Sequence, residues 1–269
     1  NTLISHLRSE IVSRGADNIF VYTKPENKHI FESLAFYTVG TSPRAILLES
    51  SKRGIVRLKN SLAKHKKPGI NGAIVMNANP FTLGHLYLVQ EAAKRCDNLY
   101  VFPVRADRSE FPYKDRYRLV EEGCACLDNV EILDGGNYII SGATFPTYFL
   151  KQMGQAAQTQ AQLVLDIFAR HIAPSLDIKI RFVGSEPLDP FTQTFNETML
   201  QILPPHDIKV EVIERLQSNG QPVSASRVRT LLKEGRLAET QSLVPPSTFA
   251  YFATPAGQKV IASLRQRQS

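Results

Sequence analysis

The sequence predicts an α/β fold built on a doubly wound parallel sheet, preceded by a small α+β module. From residue 69 onward, apolar runs typical of buried strands alternate with stretches that carry apolar residues at helical spacing. Such alternation indicates right-handed βαβ units with helices on both faces of one sheet. Hydrophobic residues make up 43% of the 269 residues, which is ample for the cores of one large or two modest domains.

The first part of the chain predicts the small module and a connecting helix. The expected elements are a helix ended by Gly15, a strand, a helix after Pro25, two short strands and an amphipathic helix, at residues 1–14, 18–23, 25–36, 38–40, 45–49 and 51–67. Five elements in about 50 residues are too few to stand alone. Because Pro68 and Gly69 break the last helix, we expect a boundary there, between residues 1–67 and 68–269.

The net charge of +7 is unevenly distributed. No acidic residue occurs between Glu49 and Glu91, and the first half of that interval is crowded with lysine and arginine, at positions 52, 53, 57, 59, 64, 66 and 67. A basic run is one way to bind nucleic acid, but no aromatic platform or zinc finger accompanies it. We therefore expect a solvated helix near a phosphate or an acidic protein, and no nucleic-acid partner.

Hydropathy and cysteine usage favour a cytoplasmic protein. No apolar run approaches the roughly 18 to 20 residues that a membrane span needs, and no charged-then-apolar leader opens the sequence. Cys96, Cys124 and Cys126 lack metal-ligand spacing, which fits reduced thiols. We expect no metal held by side chains alone and no membrane partner.

Residues 70–89 predict a phosphate site. The uncharged run 70–76 suits a strand that is covered on both faces. A polar turn containing Asn79 follows, and a helix opens at Thr82-Leu-Gly-His85. A helix start offers unpaired N–H groups and the positive end of its dipole, which favour an anion. Gly84 is expected to let a phosphate approach the backbone, and Thr82 and His85 should project from one helical face.

The rest of the large domain continues the alternation. Strands are predicted at residues 98–104, 130–133, 178–183 and 208–213, and helices at residues 84–95, 114–126, 155–172 and 191–203. Two short helices are expected in the tail. In a doubly wound sheet, ligands bind beyond the carboxyl ends of the strands, and the polar turn at Asn79 lies at such an end.

A second candidate phosphate site lies at residues 223–229, before a helix that Gly235 ends. Ser224 and Ser226 fall at the cap of that helix, where serine satisfies unpaired N–H groups. The same groups suit the β- and γ-phosphates of ATP, and Arg229 adds a bidentate charge one turn later. The alternative is an ordinary helix cap beside a solvated arginine.

Other polar residues follow predicted strands. Arg105, Asp107 and Arg108 come directly after a strand, so they are candidates to hold an anionic substrate, or else a surface ion pair. His171 is expected to cap or pack. Tyr113, Thr147 and Tyr148 are candidates for an acid pocket. No G-x-x-x-x-G-K-[ST] motif occurs, which excludes a P-loop.

The two phosphate segments together resemble the signatures of the HIGH-type nucleotidyltransferases, which have a Rossmann-like fold. Thr82 stands where many members have a first histidine, and 223–229 resembles the family's I-S-S-T-x-x-R. The resemblance implies that His85 contacts the α-phosphate and that Asn79, Phe81 and neighbouring residues help to bind the nucleotide. It implies similar nucleotide contacts at Gly184 and Glu186, and a phosphate, substrate or structural role for Arg116.

Two further resemblances concern the whole chain. Tyr22-Thr-Lys-Pro and Leu34-Ala-Phe-Tyr37 look like the closing half of a GNAT acetyltransferase, whose coenzyme A grip would precede residue 1, so we expect no acetyltransferase site. The segments NANPFTLGH, IFARHIAP and FVGSEPLDPFTQTFNETM are similar to the citrate lyase ligase (citrate lyase synthetase) family. That similarity implies an AMP- and diphosphate-forming acid–thiol ligase.

The similarity also implies substrates and roles. ATP and acetate would acetylate the prosthetic-group thiol of the citrate lyase acyl carrier subunit. His85 would contact the α-phosphate, Ser224 and Ser226 the β- and γ-phosphates, and Arg229 the leaving pyrophosphate, with Thr82 and Asn79 orienting the site. Arg105, Tyr113 and Arg116 would meet the substrate, and Mg²⁺ would be held through the phosphates.

Two alternatives stay open at this point. An adenylyltransferase could join AMP to a phosphate-bearing acceptor such as pantetheine phosphate or pyridine mononucleotide. A non-catalytic protein could retain a degenerate nucleotide fold, although both signature segments keep their polar groups. Released AMP indicates the ligase, and a retained dinucleotide indicates the transferase.

Overall fold

The structure is a computed structural model that describes residues 2–15, 18–105, 109–144, 154–186, 189–218 and 220–266. Its centre is a five-stranded, fully parallel sheet in the order β6-β5-β4-β7-β8. The strands are β4 (Asn71–Met76), β5 (Asn98–Pro103), β6 (Val130–Ile132), β7 (Ile178–Gly184) and β8 (Lys209–Ile213). The predicted α/β class with a doubly wound parallel sheet is confirmed.

Strand β4 lies at the middle of the sheet. Its side chains are almost all buried, and Asn71 at its start donates from Nδ2 to the carbonyls of Lys67 (2.9 Å) and Leu176 (2.8 Å). From β4 the chain passes outward through β5 to β6 and then returns to the opposite side of β4 with β7. The strand order therefore reverses between β4 and β7, where the carboxyl ends of the strands open a crevice.

Helices cover both faces of this sheet. One core is formed with α4 (Leu83–Ala93), α5 (Tyr113–Cys124), α9 (Ala225–Lys233), α10 (Pro246–Phe252) and α11 (Pro255–Gln266). The opposite core is formed with α3 (Gly54–Ala63), α6 (Gln155–Ile167), α7 (Ala173–Leu176) and α8 (Pro190–Ile202). A crevice at the carboxyl ends of the strands can therefore be lined by residues from both helical layers.

The N-terminal part forms a separate antiparallel sheet in the order β1-β3-β2. It contains α1 (Thr2–Ser13), β1 (Phe20–Thr23), α2 (Lys28–Glu32), β2 (Tyr37–Thr41) and β3 (Ile46–Glu49). Val39 and Leu47 share a core with Leu163 of α6, and His171 packs here through an Nε2 contact of 2.8 Å with the carbonyl of Val39. The boundary at residue 67 stays a prediction, because side chains from both sides of it pack together.

Several elements differ from the sequence-based expectation. The helix expected over residues 155–172 is interrupted by a π-helical turn, Phe168–Ile172, before α7. The helix of the second phosphate segment starts at Ala225, because Ser224 already caps it. A short hairpin, β9 (Gln217–Ser218) with β10 (Gln221–Pro222), was not predicted.

Some expectations fall on residues that the structure does not describe. Asp107, Arg108, Thr147 and Tyr148 lie outside the described residues. Among the helices that are described, none is both long and apolar enough to cross a membrane.

Candidate functional site

A crevice of about 750 Å³ lies at the carboxyl ends of β4 and β7. Both phosphate segments line it, one at the start of α4 and the other at the start of α9. Nine of the residues predicted for the site are part of its lining: Asn79, Thr82, Gly84, His85, Gly184, Glu186, Ser224, Ser226 and Arg229. The two segments, distant in sequence, share one pocket.

The imidazole of His85 is held in a defined orientation. Thr82 caps α4: its Oγ1 accepts from the backbone N–H of His85 (3.3 Å), and its own backbone N–H donates to Nδ1 of the His85 ring (3.1 Å). Because Nδ1 accepts that bond, the proton of a neutral ring lies on Nε2. The Phe81 ring stacks on the imidazole at 5.8 Å, with an angle of 16° between the planes.

Burial keeps this imidazole uncharged. It lowers the pKa of His85 from 6.5 to about 4, and the positive charges of Arg215 and Arg229 act in the same direction. At neutral pH the ring is therefore a neutral donor through Nε2–H. Such a group can stabilise charge that develops on a phosphate oxygen without a proton being transferred.

Gly84 makes a close contact with the second phosphate segment. A Cβ atom at this position would lie 2.4 Å from the carbonyl oxygen of Val223, the residue before Ser224. That space is therefore filled by the backbone of the second segment, and the approach of a phosphate to Gly84 stays a prediction. Glycine at position 84 lets the starts of α4 and α9 come into contact.

Arg229 connects the two segments directly. Its Nη1 donates to the carbonyl of Asn79 (2.5 Å), and its Nη2 donates to Oγ of Ser226 (3.2 Å). Its Nε lies 3.7 Å from the Glu110 carboxylate. Burial lowers the pKa of Arg229, and the charge of Glu110 opposes that shift. The second segment is thereby anchored to the turn that follows β4.

Asn79 organises the loop that leads into α5. Its Oδ1 accepts from the backbone N–H of Phe111 (3.0 Å), and its Nδ2 donates to the Glu110 carboxylate. Ser224 acts similarly at the second segment, where its Oγ caps α9 by accepting from the N–H of Arg227 (3.2 Å). Both residues hold backbone at the rim of the crevice.

Arg116 proves to be structural. Its side chain is completely buried, and it donates to the carbonyls of Phe111 (Nε, 3.0 Å), Asn77 (Nη1, 2.6 Å) and Val104 (Nη2, 3.0 Å). A guanidinium engaged in this way holds the loops after β4 and β5 together. Arg116 is not among the described residues that line the crevice, so its contacts favour the structural alternative, and a contact with substrate stays a prediction.

Three more predicted contacts lie outside the lining that the described residues form. Phe81 is fully buried and supports the His85 ring from the core. Arg105 pairs with Asp134 through Nε (3.0 Å), and its guanidinium lies 5.1 Å from the centre of the Tyr113 ring. Arg105 and Tyr113 therefore pack on each other beside the crevice.

Two arginines at the crevice were missed by the sequence reasoning. Arg215 follows β8, lines the crevice, donates from Nε to the carbonyl of Ser185 (2.6 Å) and pairs with Glu186. Its position after a strand end was the available signal, and the same rule had selected Arg105. Arg181 lies inside β7 and also lines the crevice; a basic residue within an apolar strand was the signal there.

Several known proteins are similar to this chain. The family model described as the citrate lyase ligase C-terminal domain matches residues 71–252. The chain is 42% identical over 255 residues to citrate (pro-3S)-lyase ligase of Klebsiella pneumoniae, covering 93% of this chain and 75% of the relative. It is 40% identical over 259 residues to the Escherichia coli K12 ligase of the same name, covering 93% and 73%. Among solved structures, Thermotoga maritima TmcAL bound with alpha-thio ATP is more distantly similar. It has 15% sequence identity and a TM-score of 0.44, over 73% of this chain and 56% of that one.

Proposed function

The chain belongs to the citrate lyase ligase family, and from that premise we propose that its crevice activates acetate with ATP and passes the acetyl group to the citrate lyase acyl carrier subunit. The observation that carries the assignment is the junction of the two phosphate segments, in which Arg229 binds the carbonyl of Asn79 at 2.5 Å. This contact brings two helix starts to one pocket, an arrangement that suits a triphosphate.

The first step forms acetyl-adenylate. An acetate oxygen attacks the α-phosphorus of ATP, the bond from that phosphorus to the bridging oxygen breaks, and pyrophosphate leaves with the electron pair. No protein atom forms a covalent bond, so positioning and charge stabilisation supply the rate enhancement. Nε2–H of His85 donates to an α-phosphate oxygen, and the backbone N–H groups at the start of α4 add to the positive potential there.

The second segment holds the leaving group. Ser224, Ser226 and the start of α9 face the β- and γ-phosphates, and the guanidinium of Arg229 supplies charge beside them. Arg215 adds a second guanidinium at the same crevice. As pyrophosphate departs, its negative charge grows next to these donors, so they stabilise the transition state more than bound ATP.

The second step transfers the acetyl group. The thiol of the carrier's prosthetic group loses its proton to water, its sulfur attacks the acetyl carbon, and AMP leaves with the electron pair of the cleaved anhydride bond. The products are the acetylated carrier and AMP. The carrier must reach the open side of the crevice, so we propose that it docks over the carboxyl ends of β4 and β7.

Mg²⁺ is proposed to bind through the phosphates. Glu110 and Glu186 line the crevice, but their carboxylates already contact Asn79 and Arg215 respectively. That donor set fits a cation held mainly by phosphate and water oxygens. When bound, the ion neutralises charge on the triphosphate. The cytoplasmic location predicted from the sequence stays a prediction.

The test is to incubate the protein with ATP, acetate and deacetylated citrate lyase. The expected result is release of AMP and pyrophosphate that depends on both acetate and the carrier, together with recovery of citrate lyase activity. Reactions without acetate and reactions without carrier are the controls. AMP retained in a dinucleotide, or ATP consumption that does not respond to acetate, would contradict the proposal.

A further inference from the structure

We propose that Arg181 of β7 is the residue that binds the carboxylate of the acid substrate, in an apolar compartment of the crevice distinct from the phosphate compartment. This inference rests on the proposed function. It adds a place where the acid binds, at a residue that the sequence analysis did not select. Three features of the structure support it: an unsatisfied guanidinium, an apolar wall around it, and its position at the reversal of the strand order.

The guanidinium of Arg181 is buried without the hydrogen bonds that burial normally requires. The side chain is 5% exposed, and its Nε and Nη1 have no hydrogen-bond partner among the described residues. Burying an unpaired charge is costly, and native proteins rarely do so without a partner. A carboxylate oxygen would supply an acceptor in the plane of the guanidinium, which is the geometry in which this group donates to carboxylates.

The ring of Phe168 fixes the orientation of this guanidinium. The central carbon of the Arg181 guanidinium lies 4.9 Å from the ring centre. This contact occupies one face of the planar group and makes no use of its N–H donors. The N–H groups of Nε and Nη1 lie on different edges of the planar group, and either edge is left to donate to an anion in that plane.

The surroundings of Arg181 suit the alkyl end of a short acid. Val75, Ile140, Phe195 and Met199 line the same crevice. Ile140 and Met199 belong to the core on the α6 and α8 side of the sheet, and Val75 and Phe195 pack against that core. One cation in an apolar wall recognises a carboxylate joined to a small hydrocarbon group.

The position of Arg181 also fits the reaction. It pairs in register with Ala73 of β4, so it lies on the strand next to the one that leads into the first phosphate segment. The crevice that it lines extends to His85 and Ser224. An acid bound at Arg181 would therefore share one continuous space with the triphosphate, as an in-line attack on the α-phosphorus requires.

The cost of the buried charge points in the same direction. Burial lowers the pKa of Arg181 to about 9. The guanidinium is therefore still protonated at neutral pH, and its buried charge lowers the stability of the fold. Residues that lower stability while serving a site are a recurrent feature of enzymes. A purely structural arginine would instead resemble Arg116, whose donors are satisfied by three carbonyls.

The experiment compares Arg181→Met, Arg181→Lys and the control Lys179→Gln. Lys179 lies on the same strand, but its exposed ammonium pairs with Asp177 at 3.0 Å. Acetate binding is measured by saturation-transfer NMR in the presence of a non-hydrolysable ATP analogue, ATP-analogue binding by calorimetry, and stability by thermal unfolding. None of these measurements requires turnover.

The expected result for Arg181→Met is a loss of acetate affinity of at least about tenfold, since hydrogen bonds between charged partners are lost. Affinity for the ATP analogue should stay within about twofold of wild type, and the unfolding temperature should be equal or higher because an unpaired buried charge is removed. Arg181→Lys should retain part of the acetate affinity, and Lys179→Gln should match wild type in both affinities.

Unchanged acetate affinity in Arg181→Met would overturn the inference. A second result would also overturn it: a lowered unfolding temperature in Arg181→Met together with wild-type acetate affinity in Arg181→Lys. Failure of the proposed function would look different. In that case wild type would bind acetate through Arg181 and yet release no acetate-dependent AMP in the presence of carrier. Acetate-dependent AMP release by wild type, together with no effect of Arg181→Met on acetate affinity, would refute the inference alone.

Discussion

The neutral state of His85 leads to a prediction about stability and activity together. The change is His85→Ala, with His206→Ala as the control, because His206 is an exposed histidine. Folding lowers the pKa of His85 from 6.5 to about 4. A histidine with a lowered folded-state pKa contributes stability that is fully present above the unfolded value and is lost as the pH falls toward the folded value.

The magnitude follows from the difference between the two pKa values. At 1.36 kcal/mol per pH unit, the shift from 6.5 to about 4 corresponds to a contribution on the order of 3 kcal/mol. Protonation would also place a donor on Nδ1, opposite the N–H of Thr82 that now donates to it at 3.1 Å. Wild type should therefore lose more stability than His85→Ala between pH 7 and pH 4.

The assay is urea unfolding of wild type and both variants at several pH values in that interval. The difference in the free energy of unfolding between wild type and His85→Ala should shrink by on the order of 3 kcal/mol as the pH falls. The corresponding difference for His206→Ala should show no such dependence. A difference between wild type and His85→Ala that stays constant from pH 7 to pH 4 would refute the reasoning.

The same variant tests the chemistry of His85. Loss of one preorganised donor to a developing charge costs about 10²- to 10³-fold in kcat, so His85→Ala should lower acetate-dependent AMP release by about that factor at pH 7. The pH–rate profile of wild type should show no fall in activity near pH 6.5 that is caused by protonation of His85. Wild-type-like AMP release by His85→Ala would refute the catalytic role.

Three other changes test the framework of the site. Gly84→Ala should weaken ATP binding at least about tenfold, because its Cβ would lie 2.4 Å from the Val223 carbonyl oxygen. Gly142→Ala is the control, because there is open space at its Cβ. Equal ATP affinities in the two variants would contradict this prediction. Arg116→Met should lower the free energy of unfolding by about 3 kcal/mol or more, since three carbonyls lose their donor; a smaller loss in urea unfolding would count against its structural role. Met199→Ala should raise kcat/KM for propionate relative to acetate by about tenfold, and an unchanged ratio would show that Met199 does not limit the acid.

The architecture was largely predictable because its signals are local. Apolar runs such as residues 70–76 and 98–104 marked the central strands, and the structure places them at β4 and β5. The rule that ligands bind at strand ends then selected Asn79, and the resemblance to the nucleotidyltransferases selected Gly184; both line the same crevice. Serine at a helix cap is a local signal too, and Ser224 caps α9 as expected.

The roles that failed to follow from the sequence depend on contacts between distant segments. Gly84 was expected to let a phosphate approach the backbone, and its close contact with the backbone of Val223 had no signal in the sequence. Arg116 was given a phosphate, substrate or structural role, and the three carbonyls that bind it come from the loops after β4 and β5. Arg181 gave only the signal of a charge inside an apolar strand, since its proposed role depends on its own Nε and Nη1 being unpaired in the fold.

The central claim is that both phosphate segments bind the same ATP molecule. Calorimetry with a non-hydrolysable ATP analogue on wild type, His85→Ala and Arg229→Gln tests it most directly, with the exposed Arg236→Gln as the control for loss of an arginine. We predict one binding site per chain, weaker binding in both site variants and wild-type affinity in the control. Wild-type affinity in either His85→Ala or Arg229→Gln would contradict the claim.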